Sequence, residues 1–285
     1  MKVEKVTARI GARVSGIDLT QPLDGAAVAE VRAALLDNLV LFFVEQKPLT
    51  PEQHIRLARH FAEIDIPEFR TTATVHPEVM VLDQVNPKGQ GSDSWHADNT
   101  YLEEPPMGAL LQAHQLPPIG GDTLFASMYA AYEALSPAMQ AFFEGMTAKH
   151  GTAKLVERTK GKALYKIPDS LANREPFSHP VIAVHPETGR KLLNVNNNWT
   201  ISLDGMTKAE SDHWLQFLLD HVKSPEFQVR HRWSVGDMIF WDNRCVQHYA
   251  VADYTERRLM QRIVMSGSRP LAIGEKPQLE AVAAE

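Results

Sequence analysis

DMIFWDNRCVQHYA, residues Asp237–Ala250, joins a run of apolar residues to a polar turn and then to a histidine. Four apolar residues between turn signals, with Ile, Phe and Trp among them, read as a buried strand rather than a helix. Val235-Gly236-Asp237 opens it and Asp242-Asn243-Arg244 closes it, so the chain enters and leaves abruptly. His248 is therefore expected near the edge of the core. Cys245, three residues earlier, points away from His248 on a strand and reads as a small buried core residue.

The same grammar recurs outward from this stretch. EVMVLDQV, MGALLQAHQL, DTLFASM, HPVIAVH, RKLLNVN, EFQVRHRW and RRLMQRIVMSG are short β segments, separated by turns such as Gly120-Gly121-Asp122. Many short strands with Gly-rich turns argue for a sandwich or barrel with mainly antiparallel pairing. Helices are fewer. AAVAEVRAALLDNL carries helical spacing and leads into the strand-like VLFFVE. TPEQHIRLARHFAEI opens with Thr50, Pro51 and Gln53, and KAESDHWLQFLLDHV follows Thr207 with Glu210; both starts are capping boxes. Strands and helices do not alternate, and no Gly-x-Gly-x-x-Gly follows a strand, which argues against a nucleotide-binding doubly wound sheet. The expectation is a mainly β fold with flanking helices, one domain over residues 1–285. Residues 151–177 are polar, locally basic and weakly periodic. They read as a solvated connection or as an active-site lid suited to an anionic ligand.

The chain's 285 residues, 44% of them hydrophobic, suffice for one large core, and the net charge of -6 makes neither nucleic acid nor an anionic membrane an expected partner. A single cysteine excludes an internal disulfide framework and suits a reducing compartment. The first residues lack an apolar leader-like run, and no later run is long enough to span a bilayer. A cytoplasmic protein is expected. Twelve histidines are many for this length, a hint of metal or proton chemistry.

SDSWHADNTY, Ser92–Tyr101, holds the only His-x-Asp in the chain, His96 and Asp98. On extended backbone the two side chains project from one face. A third donor is sought at His248. Two His and one carboxylate with open positions opposite form the facial triad of Fe(II) oxygenases, although zinc accepts the same ligands. Oxygen activation needs electrons, which many such enzymes take from a 2-oxo acid. The far carboxylate of that cosubstrate calls for an arginine fork. Arg258 and Arg262 are separated by an even number of residues and should face one side of a strand with Met260, while Arg257 fits solvent.

Several of these motifs, in this order, resemble the taurine dioxygenase/2,4-dichlorophenoxyacetate dioxygenase (TauD/TfdA) family of Fe(II)- and 2-oxoglutarate-dependent dioxygenases. The pattern runs His96-x-Asp98, Thr123 in GGDTLFASMYAAYEALSP, His248 in WDNRCVQHYAVADY and then Arg258, with flanking likeness from GARVSGIDLTQPL to MQRIVMSGSRP. The resemblance implies a double-stranded β-helix (jelly roll) core, clavaminate synthase-like. It implies that His96, Asp98 and His248 hold iron, that Thr123 and Arg258 bind 2-oxoglutarate, and that Arg262 faces the anionic group of the substrate. Asn99 and Tyr101 would line the pocket. The stretch from His248 to Arg258 is a residue shorter than in the taurine enzyme, so Arg262 competes with Arg258 for the cosubstrate. Pro67 and Ser92 stand where that enzyme contacts taurine, which points to another small anionic organic substrate: a sulfonate, alkyl sulfate or aryloxyalkanoate. Asp98 is retained, which favours hydroxylation by O2 over halogen transfer. A homo-oligomer, dimer or tetramer, is implied by resemblance alone. A jelly-roll zinc hydrolase or isomerase, or a non-catalytic binding barrel, are the competing readings; the first leaves Thr123 and Arg258 without a role.

Overall fold

Two sheets share one apolar interior in the computed structural model, which describes residues 1–66, 75–88, 92–159 and 168–276. Among these residues the major sheet runs in the order Lys2–Lys5, Ala12–Ser15, Val40–Phe43, Met238–Asp242, Gly108–Gln115, Arg258–Met265, Ile64–Asp65. Met80–Gln84 also pairs with Arg258–Met265. The minor sheet is Gln228–His231, Thr123–Ser127, Val246–Ala250. Pairing is antiparallel throughout, apart from Ala12–Ser15 beside Val40–Phe43.

The strand period of two explains why VLFF and MIFW are apolar without a break. Val40, Phe42, Ile239 and Trp241 point into the space between the sheets, where Phe125 of the minor sheet meets both Phe42 and Trp241. Leu41, Phe43, Met238 and Phe240 point the other way, onto Val31 and Leu35 of helix Gly25–Asn38 and Ile55 and Leu57 of helix Pro51–Arg59. Strands buried on both faces need apolar residues at every position. Both capping boxes form, Thr50 with Gln53 and Thr207 with Glu210. Helix Gly25–Asn38 has an additional cap in Asp24, whose carboxylate accepts from the Ala27 amide. The result is a jelly-roll core with helices outside.

The polar 151–177 stretch is more regular than its sequence indicates. It contains helices Ala153–Thr159 and Asp169–Ala172 and begins the strand Phe177–Pro180; residues 160–167 lie outside the described set. Each helix is too short to repeat an apolar period, so no periodicity was visible. Among the contacts that anchor them, the Thr152 hydroxyl donates to the Leu171 carbonyl, Lys154 Nζ donates to the Asn197 carbonyl, and Leu155 and Leu171 pack on Tyr101 and Trp199. The short strands Lys2–Lys5, Ala12–Ser15, Thr147–His150 and Thr200–Leu203 also had no clear alternation to announce them.

Candidate active site

His248 lies in the minor-sheet strand Val246–Ala250, and His96 is docked beside it by two reciprocal backbone bonds. The His96 amide donates to the His248 carbonyl at 3.1 Å and the His248 amide to the His96 carbonyl at 2.8 Å. This single bridge brings the rings together, tilted by 47° with centroids 4.2 Å apart. Asp98, two residues on, comes to the same point. Its Oδ1 is 3.9 Å from His96 Nε2 and 3.8 Å from His248 Nε2. Two bonds of roughly 2.1 Å to a common ion span about 4.2 Å at most, so these separations suit a shared metal. All three residues are buried. Extended backbone at both His96 and Asp98 was the condition for their sharing a face; here the bridge is confined to His96, and the turn begins at Asp98.

The donor atoms are prepared for this role. His96 Nδ1 lies 2.7 Å from the Ser94 carbonyl. A carbonyl only accepts, so Nδ1 carries the proton and Nε2 keeps its lone pair. Burial, helped by the neighbouring His96, lowers the His248 pKa to about 3, and the imidazole is a neutral ligand at pH 7. Burial is the largest single influence on the Asp98 carboxyl and would raise it, but the Arg262 guanidinium and the two histidines together outweigh it and hold the pKa at about 2. Arg262 forms an ion pair with Asp98 Oδ2, leaving Oδ1 toward the histidines. Trp241 packs on the His248 ring at 5.0 Å.

Arg258, Met260 and Arg262 face one side of their strand, opposite Gln84, Leu82 and Met80 of the neighbouring strand. Arg258 is 4% exposed, and its Nε has no hydrogen-bond partner among the described residues. Among the described residues no carboxylate pairs with it, because nearby Asp122 is held by Arg230 at 2.7 Å. Burial accordingly pulls its pKa down, against the opposing effect of Tyr254. A buried cation without an anion is costly and marks a seat for one. Thr123 shares the surroundings through Trp233, whose Nε1 donates to the Thr123 hydroxyl at 3.0 Å and whose ring lies 5.7 Å from the Arg258 guanidinium carbon. Gly121, at φ +76°, makes room: a Cβ there would stand 3.2 Å from Arg258 Cδ.

Asn99 is half-buried and adopts φ 48°, a left-handed conformation that Asn tolerates better than most residues. Tyr101 packs on Trp199 at 4.7 Å, next to Leu171. Arg257 is exposed and pairs with Asp83, and Cys245 is buried. Ser92 is exposed, its carbonyl accepting from the Ala250 amide, while Pro67 falls outside the described residues. Residues that the sequence did not single out also build the site. Trp199 Nε1 donates to the Ala97 carbonyl at 2.9 Å, and the Asn243 side chain binds the Asp98 backbone. In sequence Asn243 looks only like a turn residue.

A second buried group, His185, Asp242 and Cys245, also brings metal-binding atom types together. It is closed to a metal. Arg244 covers both Asp242 oxygens at 2.8 and 2.6 Å, and His185 Nδ1 accepts from the Glu187 and Thr188 amides. His185 Nε2 therefore carries the proton it donates to Asp242 and has no lone pair to offer.

Residues 2–264 match the family described as taurine catabolism dioxygenase TauD, TfdA. The chain belongs to this family. It is similar to the alkylsulfatase of Acinetobacter baylyi, at 33% identity over 94% of this chain and 85% of the relative. It is also similar to the alpha-ketoglutarate-dependent sulfate ester dioxygenase of Pseudomonas putida, at 32% over 96% and 92%. The (S)-phenoxypropionate/alpha-ketoglutarate-dioxygenase of Sphingobium herbicidovorans is 34% identical over 93% and 94%. Among solved structures, a taurine dioxygenase from Burkholderia xenovorans superposes with TM-score 0.81 at 34% identity, covering 95% and 93% of the two chains. AAD-2 in complex with Mn(II) and N-oxalylglycine superposes with TM-score 0.79 at 27% identity, covering 95% and 99%. The TauD/TfdA-type protein is thus a 2-oxoglutarate-dependent dioxygenase using Fe(II), 2-oxoglutarate and O2, and its donor set of two neutral-capable imidazoles and a carboxylate fits that metal. The names of the dioxygenases among these relatives give no support to a zinc hydrolase or a non-catalytic barrel.

Proposed function

We propose that the enzyme hydroxylates a small anionic organic substrate carrying a sulfate ester, a sulfonate or an aryloxyalkanoate carboxylate. The observation that carries this reading is the pairing of a buried His96–Asp98–His248 cluster with two arginines on one strand face. His96, Asp98 and His248 hold the iron. Thr123 and Arg258 take the distal carboxylate of 2-oxoglutarate, whose charge completes the otherwise unpaired guanidinium. Arg262 faces the substrate anion: it already holds Asp98 Oδ2, and its five N–H donors leave some for a second acceptor. Asn99 and Tyr101 line the approach. The bound iron supplies the oxygen chemistry that oxidises a substrate C–H as 2-oxoglutarate becomes succinate and CO2. Where the hydroxylated carbon bears the sulfate, sulfonate or aryl ether, the product collapses to an aldehyde or ketone and releases that group.

The names of the relatives, which include a sulfate ester dioxygenase and a phenoxypropionate dioxygenase, support the substrate classes. The helices of residues 151–177 lie against Tyr101 and Trp199, a position that suits a lid over the substrate. No helix among the described residues is long and apolar enough to cross a membrane, which fits a cytoplasmic site of action. A dimer or tetramer is read by light scattering. The reaction itself is tested anaerobically: Fe(II) and 2-oxoglutarate added to metal-free protein should produce a weak visible charge-transfer band, lost in His96→Ala and Arg258→Ala. Candidate anions that shift the band are then screened for turnover. Tight zinc binding without any such band would overturn the reading.

A further inference from the structure

We infer that Asn243 is a positioning residue that sets the Asp98 carboxylate against the two histidines. The inference rests on the reading of His96, Asp98 and His248 as metal ligands. The Asn243 side chain is 3% exposed and uses its amide on both faces of Asp98. Its Oδ1 accepts from the Asp98 backbone amide at 2.7 Å, and its Nδ2 donates to the Asp98 carbonyl at 3.0 Å and to the Pro106 carbonyl at 3.1 Å. The Asn243 backbone amide donates to the Met107 carbonyl at 2.9 Å. One residue therefore pins both ends of the loop from Asp98 to Met107.

Such a clamp is needed at this place. The His96–His248 bridge ends the backbone pairing, and the chain then turns through Asn99 at φ 48°. Past the bridge no strand among the described residues fixes the Asp98 backbone, and Asn243 supplies the two bonds that a neighbouring strand would give. A carboxylate side chain would accept from the Asp98 amide but lacks the donors, and a hydroxyl is too short to reach both groups. The turn that presents Asn243 is itself locked. Arg244 and His185 hold Asp242, and Arg244 also pairs with Glu187 at 2.7 Å. The closed His185–Asp242 cluster is thus the mount for the clamp.

A buried amide with three hydrogen bonds is also an ordinary stabilising device, and Gln112 provides the control. It is fully buried and binds the Leu49 amide, the Lys47 carbonyl and the Gly236 carbonyl, away from the metal ligands. Mn(II) affinity is measured by electron paramagnetic resonance of the free ion for the unaltered protein, Asn243→Ala and Gln112→Ala, with Tm recorded for each. Both variants should lose stability, but only Asn243→Ala should bind Mn(II) more weakly, by about 10- to 100-fold, the usual effect of removing a group that orients a ligand. Should Asn243→Ala fail to fold, Asn243→Ser is read in the same way. Equal Mn(II) affinity in the Asn243 and Gln112 variants overturns the inference, as does loss of fold in both Asn243 variants while Gln112→Ala folds. If the unaltered protein binds no Mn(II), the metal-site reading itself fails, and the inference falls with it.

Discussion

At the scale of single residues, the two arginines of one strand stand in different surroundings although their sequence context is nearly the same. Arg258 is buried without a carboxylate partner among the described residues, whereas Arg262 is paired with Asp98. Arg258→Gln should raise the KM for 2-oxoglutarate by about 10- to 100-fold, since charge-assisted hydrogen bonds contribute about 1.5–3 kcal/mol, and should leave Mn(II) affinity unchanged. Arg262→Gln should do the reverse. It frees Asp98 Oδ2 and should raise substrate KM and alter metal binding, with 2-oxoglutarate affinity held; steady-state kinetics with each cosubstrate varied in turn separates the two. An unchanged 2-oxoglutarate KM in Arg258→Gln would return that role to Arg262. Even spacing in RRLMQR showed that the two residues share a face. Their partners could not be read there, because Asp98 and Asp122 belong to other segments.

At the scale of elements, helix Pro51–Arg59 carries a polar cost under its capping box. His54 is fully buried, and neither ring nitrogen has a well-formed hydrogen bond among the described residues. Burial, with neighbouring His114 adding to it, lowers its pKa from 6.5 to about 3. The unfolded chain therefore binds the proton first. The stability this neutral histidine preserves is complete above about pH 6.5 and is lost as pH falls from there toward 3, at about 1.4 kcal/mol per pH unit. Urea denaturation at pH 7 and pH 5 should show about 2 kcal/mol of loss from this group, and His54→Leu should flatten the slope. The Asp242 turn makes the opposite case. Its carboxylate is held far below the usual range by Arg244 and His185 despite burial, and Asp242→Asn should cost about 3–5 kcal/mol by leaving a buried guanidinium undercompensated. A urea midpoint unchanged at pH 7 would show that Arg244 relaxes onto Glu187 instead.

At the scale of the whole molecule, the proposed metal ligands come from two segments distant in sequence, joined by the His96–His248 bridge. Ligand binding should therefore stabilise the fold as a unit. Mn(II) and 2-oxoglutarate, each at 100 times its Kd, should contribute about 2.7 kcal/mol apiece, raising Tm by several degrees in a thermal melt. Chelation should reverse the effect, and His248→Ala should abolish it. A metal-independent Tm would mean that the cluster does not bind the ion in the native state.

Much of this was legible locally. Period-two burial in VLFF and MIFW, the capping boxes at Thr50 and Thr207, the turn residues and the donor types at positions 96, 98 and 248 are properties of neighbouring residues, and neighbours determine backbone preference and side-chain direction. The sequence by itself determined the apolar strands and the capped helices, though not the short helices after Thr152 or the short strands such as Thr147–His150, and it determined which side chains offer donor atoms suited to iron. The tertiary structure alone decided that Arg262 holds Asp98, that Trp233 joins Thr123 to Arg258, that the His185 cluster is closed by Arg244, and that Asn243 fixes Asp98 from 145 residues away. Hydrogen bonds and ion pairs act over a few ångströms in space, and no local periodicity records which distant segments the closing sheets bring within that reach.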